Sequence, residues 1–388
     1  MKSNYDTLGK YIQTVDVRNI EGKEENLLGV STQKYFIQSI ANTVGTDFTK
    51  YKVVRRNQFT YVPDTSRRGD RIAVALQQTC DEGLVSAIYT VFEVTDQSKL
   101  LPEYLMLWFK RAEFDRYARF KSHGSVREIF DWDEMCKLEL PVPHISVQND
   151  IVRAYNTIEA RIKQKRNIND NLEATASAIF SAMFVPAYSD PLAGGWTMVT
   201  LNDLCDVKGG KRLPTDCELL DTPTTHPYIR VRDVAGGRYV CLTNRFQYID
   251  DETHEVIARY IVESDDIIIS IVGTIGLFGK IHRSLNGANL TENCVRLTNI
   301  RNVSSDYLYY TLLYKKQINE IELLTVGAVQ AKLPIYNIQS IQVALPPQMV
   351  LGEFQAKMEK LNRQIEENTL EIERLHDLSD VFLANIAR

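Results

Sequence analysis

IVRAYNTIEARIKQKRNINDNLEATASAIFSAM, residues 151–183, and FQAKMEKLNRQIEENTLEIERLHDLSDVFLANI, residues 354–386, are written in the same heptad. The first spaces Ile151, Tyr155, Ile158, Ile162, Lys165, Asn169, Leu172, Ala176, Ile179 and Met183 alternately by four and three. The second carries Phe354, Met358, Leu361, Ile365, Asn368, Ile372, Leu375, Ser379, Phe382 and Ile386 at a constant offset of 203 residues. An average spacing of about 3.5 residues keeps one seam on each helix and predicts coiled-coil packing rather than a helix lying on a sheet. Both seams must be buried. At about 1.5–3 kcal/mol per large apolar side chain, partly offset by ordering entropy, pairing the helices within the chain is strongly driven.

The repeat extends beyond the helices. The same offset of 203 superposes Tyr104-Leu105 on Tyr307-Leu308, Gly124-Ser125-Val126-Arg127 on Gly327-Ala328-Val329-Gln330, and Pro143 on Pro346. Upstream the correspondence survives only with shifted offsets, as between Leu8–Ile12 and Leu201–Cys205, or Val54–Tyr61 and Val262–Ile269. Loops accept insertions while packed elements do not, so two copies have kept a scaffold and changed its surface. Apolar runs at 265–272 and 85–94 predict buried strands, and 104–119 and 307–321 predict helices. The chain therefore divides into a mixed α/β head at 1–143, a long helix at 144–186, a second head at 187–346 and a second long helix at 347–388. The expected class is α+β, two heads separated by a long antiparallel two-helix coiled coil with a pseudo-two-fold internal repeat. Under that symmetry Asn169 faces Asn368, a pairing that sets register at some cost in stability, and Lys165 faces Ile372.

Composition restricts the function classes. With 44% hydrophobic and 24% charged residues, the 388-residue chain is of ordinary globular type and long enough for two or more domains. No apolar run reaches the roughly 18 residues needed to span a bilayer, and Met1 to Lys10 lack the apolar core of a signal peptide, so a cytoplasmic protein is expected. Six cysteines without Cys-x-x-Cys spacing imply reduced thiols. The net charge of −5 runs against phosphate binding, but the deficit lies mainly in residues 347–388, which hold 5 Lys and Arg against 8 Asp and Glu. Nucleic-acid binding then requires each head to gather its cations on one face.

Catalytic motifs are missing from the sequence. Gly273 to Ile281 superficially suggests a phosphate loop, but its spacing is wrong and Ile281 stands where a Ser or Thr is required, so a β-hairpin is the better reading. The six histidines form no His-x-x-x-His pair, and there is neither a Gly-x-Ser-x-Gly elbow nor an Asn/Asp-Pro-Pro-aromatic motif. No metal site and no catalytic residue is assigned. Basic clusters do occur: Arg55-Arg56, Arg67-Arg68 with Arg71, and Lys110 to Lys121 with Arg127 in the first head. The second has Lys208, Lys211-Arg212, Arg230-Val231-Arg232, Arg238 and Arg245. A solvated charged face is the plainer reading of Lys110 to Lys121.

Taken together, LNDLCDVKGGKRL (201–213), YIRVRDV (228–234), DDIIISIVGTIG (265–276), TENCVRL (291–297), the GAVQ and LPP of the second copy and the GSVRE and PVP of the first resemble the specificity subunits of Type I restriction-modification enzymes. The resemblance covers essentially the whole chain and rests on the order of the segments, repeated twice. It implies two target-recognition domains, each reading half of a bipartite double-stranded DNA target, and no catalysis by the subunit itself. It also implies two methyltransferase partners that bind S-adenosylmethionine, and restriction/translocase subunits that use ATP and Mg. By the same resemblance the DNA side holds the loops carrying Ser125 and Arg127, Thr274 and Gln330, and the region of Arg230, while the basic clusters offer Arg67, Arg68, Arg71, Lys211, Arg212 and Arg232, with Lys332, as candidate phosphate or base contacts. A helix of about 37 residues is roughly 55 Å long, enough to separate half-sites by about one turn of DNA, roughly 34 Å. The competing reading is a non-catalytic adaptor in which the coiled coil is the function and the heads bind proteins.

Overall fold

The computed structural model describes residues 5–39, 43, 45–64, 71–122, 128–189, 195–235, 237–327 and 331–386. The chain forms two compact units, residues 1–161 with 375–388, and residues 162–374. Each unit holds one head and a stretch of both long helices, which run Ile145–Ser189 and Gln348–Asn385. The first helix passes the expected end at 186 and continues through Pro186 to Ser189. Its last turn is held by packing, with Ala187 buried and Tyr188 against Tyr314 at 5.4 Å.

In the first unit, strand Tyr5–Thr7 pairs antiparallel with Glu139–Pro141, so the chain enters and leaves the head side by side. The main sheet has the order Ile12–Val15, Thr90–Val94, Gln58–Tyr61, Val74–Leu76, all antiparallel. The expected strand over 85–94 is two strands, Glu82–Val85 and Thr90–Val94, separated by a turn in which the Tyr89 N–H donates to the Ser86 carbonyl at 3.0 Å. Likewise the expected helix over 104–119 is two, Pro102–Lys110 and Ala112–Lys121, broken at Arg111. Arg111 takes an extended backbone and lays its guanidinium on Trp108, 4.2 Å from the ring centroid.

The second unit repeats this plan. Strand Thr197–Thr200 pairs antiparallel with Gln342–Leu345, and the main sheet has the order Asp206–Gly209, Cys294–Thr298, Ile267–Ser270, Phe278–Ile281, with Tyr239–Val240 added as a fifth strand. Residues 267–281 form the expected hairpin, with Gly273 and Gly276 at φ of +80° and +71°, where a side chain would be strained. A second sheet joins Gln247–Ile249, His226–Ile229 and Asn289–Leu290. The helix expected over 307–321 is Ser305–Gln317 followed by Glu320–Leu323, interrupted where Asn319 turns left-handed at φ +62°, a conformation Asn tolerates. One hydrogen bond recurs at the same offset: the Tyr104 hydroxyl donates to the Pro141 carbonyl at 2.9 Å, and the Tyr307 hydroxyl to the Ala344 carbonyl.

Within each unit the long helices pair antiparallel. In the first, Tyr155 packs on Phe382 and the Ser379 hydroxyl donates to Glu159 at 3.4 Å. In the second, the Asn368 amide donates to the Asn169 carbonyl oxygen at 2.8 Å, and further along Phe180 and Phe184 meet Phe354. Lys165 does not stop at Ile372. Its flexible stem carries the ammonium to Asn368 Oδ1 at 2.8 Å and Glu371 at 2.7 Å, where polar partners replace lost water. Ile162, Ile365, Asn368 and Ile372 are buried; Ile151, Ile158, Asn169, Leu172, Leu361 and Leu375 are half-buried. Changing both Asn169 and Asn368 to Leu should raise the midpoint of denaturant unfolding while broadening the set of helix positions that cross-link. A lowered midpoint with unchanged cross-linking would contradict a register-setting role.

The heads meet the helices through equivalent positions and different chemistry. Leu107, Tyr155 and Leu383 form an apolar cluster in the first unit; at the offset of 203, Tyr310 and Met358 share a cluster with Phe180 in the second. There the joint is also ionic. Asp306 accepts from Lys280 at 2.6 Å, from Arg238, and from Asn362 of the second long helix at 2.6 Å. Arg238 donates to the Tyr310 hydroxyl at 2.9 Å, which donates to Glu173 of the first long helix at 2.8 Å. Burial alone would raise the Asp306 carboxyl, but Lys280 and Arg238 outweigh it and hold it below the ordinary range. Burial raises Glu173.

Candidate nucleic-acid interface

In the second unit, backbone hydrogen bonds string several separate segments into one continuous surface. The Lys211 N–H donates to the Leu290 carbonyl at 2.8 Å, and the Thr291 N–H to the Ile229 carbonyl at 3.0 Å. The Ile271 N–H donates to the Asn293 carbonyl at 2.8 Å, Val272 bridges Lys332, and Lys332 and Val326 exchange two bonds of 2.8 Å. Lys211-Arg212, Ile229-Arg230, Thr291 to Asn293, Gly273-Thr274 and Lys332 are thereby neighbours, although up to 121 positions separate them in the chain. Lys211, Arg212, Arg232, Arg245, Thr274 and Lys332 are exposed. Cations outnumber the carboxylates of Glu292, Asp233 and Asp221, so this face is locally positive in a chain of net charge −5.

The local sequence explains the geometry. Gly210 sits against backbone: a Cβ there would lie 2.0 Å from the Thr291 carbonyl oxygen and 2.4 Å from that of Leu290. Only glycine lets the Lys211 strand end approach so closely. Gly210→Ala should cost about 1–3 kcal/mol, the usual penalty of overpacking, and displace Lys211 and Arg212. Denaturant unfolding of the variant checks this, and an unchanged midpoint would contradict it.

The first unit repeats one part of this arrangement. Asp64 bridges Ile129 as Val272 bridges Lys332, and the Phe130 N–H donates to the Pro63 carbonyl at 2.9 Å as the Leu333 N–H does to Ile271 at 3.0 Å. Both heads therefore carry the same bridge between the end of the central strand and a much later segment of the chain. Arg67, Arg68, Ser125, Arg127 and Gln330 lie outside the described residues. Arg71 is exposed and donates to Gln33 at 3.3 Å.

Several basic residues have other occupations. Arg238, one of the second head's basic cluster residues in the sequence, has a completely buried side chain in the Asp306 cluster. Arg230 is a strut: its guanidinium forks onto Asp233 with bonds of 2.9 and 3.0 Å and also donates to Gln247. Arg232, on the short helix Val231–Val234 that Arg230 caps, reaches the same Gln247 oxygen only at 3.4 Å and stays exposed. Arg212 pairs with Glu292 at 2.7 Å, which raises the guanidinium. In the first head, Arg55 and Arg56 pair with Glu82 and Asp81 at 3.3 and 3.0 Å, Arg116 with Glu113 at 3.4 Å, Arg119 with Glu128 and Lys121 with Glu134 at 3.6 Å. The stretch from Lys110 to Lys121 is thus a face of mutually compensated charge. From the sequence, Gln247 has no assigned role and Thr291 to Asn293 stand only as part of TENCVRL; neither Gln247 nor Asn293 carries charge or special spacing. Among the described residues, no three or more His, Cys, Asp or Glu stand close enough to hold a metal ion, and no helix is long and apolar enough to cross a membrane.

A head built twice on one plan, each copy with an antiparallel helix pair, is the architecture implied by the resemblance to Type I restriction-modification specificity subunits, and comparison with known proteins supports that resemblance. Residues 193–374 match the family described as Type I restriction modification DNA specificity domain. Over 309 residues the chain is 23% identical to the Type I restriction enzyme MjaIX specificity subunit of Methanocaldococcus jannaschii, covering 74% of this chain and 68% of that protein. It is 18% identical to the Type I restriction enzyme HindI specificity subunit of Haemophilus influenzae, over 92% of this chain and 91% of that one. The crystal structure of the Type-I restriction-modification system S subunit from M. genitalium shares the fold, with a TM-score of 0.53 at 14% identity over 100% of this chain and 97% of that one.

Proposed function

We propose that this chain is the non-catalytic DNA-specificity subunit of a Type I restriction-modification complex, each head reading one half of a bipartite duplex target. Carrying the reading is the bridge that recurs in both heads, Asp64 to Ile129 and Val272 to Lys332, which sets the same two segments of each head side by side. Two half-sites follow from two such bridged pairs of segments. Phosphate contacts position a protein on DNA and base contacts specify the sequence. Lys211, Arg212, Arg232 and Lys332 supply the first kind in the second head; Arg67, Arg68, Arg71, Ser125 and Arg127 are assigned to DNA in the first, and Thr274 and Gln330 in the second. Arg230 takes part by holding Asp233 and Gln247 in place.

The helix pair sets the spacing between half-sites and docks two methyltransferase subunits, and restriction/translocase subunits join these. The chain binds no cofactor of its own: S-adenosylmethionine belongs to the methyltransferases, ATP and Mg to the other partners, and the complex works in the cytoplasm. Co-purification with the methyltransferase, followed by mapping of methylated positions, tests the reading. A split target separated by an unread spacer is expected; a continuous target contradicts two reading heads. An adaptor whose heads bind only proteins would leave DNA unbound at every salt concentration.

A further inference from the structure

Between the strand end at Ile229 and the hairpin turn at Gly273-Thr274 lies the segment Thr291-Glu292-Asn293, and its backbone is pinned from three directions. The Thr291 N–H donates to Ile229 at 3.0 Å, the Asn293 carbonyl accepts from Ile271 at 2.8 Å, and the Cys294 N–H closes back on the Thr291 carbonyl at 3.1 Å. Two of its three side chains are occupied. The Thr291 hydroxyl donates to Glu292 at 3.0 Å, and the other Glu292 oxygen accepts from Arg212 at 2.7 Å. Asn293 is different: it is half-exposed, and its amide makes no hydrogen bond with any described residue.

A primary amide offers a donor and an acceptor side by side. Lys and Arg offer donors only, so the cations around Asn293 can bind phosphate or guanine but cannot match the donor–acceptor pair that adenine presents in the major groove. A fixed backbone removes much of the ordering cost of such a contact. We infer that Asn293 is a base-reading residue of the second head, with adenine as the base it selects; this deepens the DNA-recognition reading and rests on it. The first head differs at the matching place. There Tyr89 directly precedes strand Thr90–Val94, as Asn293 precedes Cys294–Thr298, and its carbonyl accepts from the Lys52 ammonium at 2.9 Å. With no amide at that position, the first head reads its half-site by other means.

The test uses the full chain co-purified with its methyltransferase subunits and a pool of random-sequence DNA duplexes, with bound duplexes recovered and sequenced. Wild type should yield a split motif. Asn293→Ala should lose the preference for one A·T pair in one half, by about 5- to 150-fold, the range for a bidentate base contact, with the other half unchanged. Asn293→Asp, which can only accept, should move that position toward cytosine, whose N4 donates. An Ala variant with an unaltered motif, or one that degrades both halves alike, overturns the assignment to Asn293 while leaving the two-head reading in place. A wild type that selects no split motif overturns that reading itself.

Discussion

Asp306→Asn should destabilise the second unit by about 3–5 kcal/mol, the cost of leaving buried charge without its partner. The side chains of Arg238 and Lys280 are almost wholly shielded from water, and both converge on one Asp306 oxygen. Removing its charge leaves two cations that cannot rehydrate where they stand. Adding Lys280→Met should recover part of the loss, because an apolar side chain of similar length asks for no anion. Denaturant unfolding of the single and double variants decides the matter, and a single variant within about 1 kcal/mol of wild type would mean that the cations escape to water. The same carboxylate predicts an acid response. Its folded-state value lies below its unfolded one, so its contribution is intact above about pH 4 and drains away as pH falls through the lower folded value. Glu173 is shifted upward by burial and works in the opposite sense. The loss of stability on acidification should therefore be shallower in Asp306→Asn than in wild type.

Replacing Lys211, Arg232 and Lys332 together by Ala should weaken duplex DNA binding by roughly 100-fold, at up to about 1 kcal/mol for each exposed charge pair lost. It should also flatten the dependence of log affinity on log salt by about 0.9 for each phosphate contact removed. All three are exposed on the surface formed around Thr291 to Asn293. Alanine at Arg55, Arg56 and Arg116, whose guanidiniums are already paired with Glu82, Asp81 and Glu113, makes the matched control and should leave the salt slope nearly unchanged. Equal slopes for the two triple variants would remove the basis for placing DNA on this face. Binding titrations at several salt concentrations give both numbers.

The helix pair was legible in the sequence because a period of three and four survives wherever one seam must stay dry; the repeat alone matches Asn169 with Asn368 across the pair. Internal repetition was legible for a similar reason, since Tyr104 and Tyr307 close the same hydrogen bond in both copies. Helix breaks at Arg111 and Asn319 were not, because tertiary packing and one left-handed residue decided them rather than any run of apolar spacing. The heads' surfaces were harder still. Arg238 and Arg232 are six positions apart and indistinguishable in composition, yet the first is committed to a carboxylate 68 residues onward and the second is exposed. Asn293 escaped notice because neither charge nor repetition marks an amide whose importance comes from the segments stacked around it.

The bridges Asp64 to Ile129 and Val272 to Lys332 work like the neck of a tool to which different bits are fitted. Everything beyond each neck can change in length or chemistry while the sheet, the Tyr104 or Tyr307 anchor and the helix contacts below it stay as they are. Grafting a foreign loop pair onto either neck should consequently retarget that half of the protein at little expense to its folding.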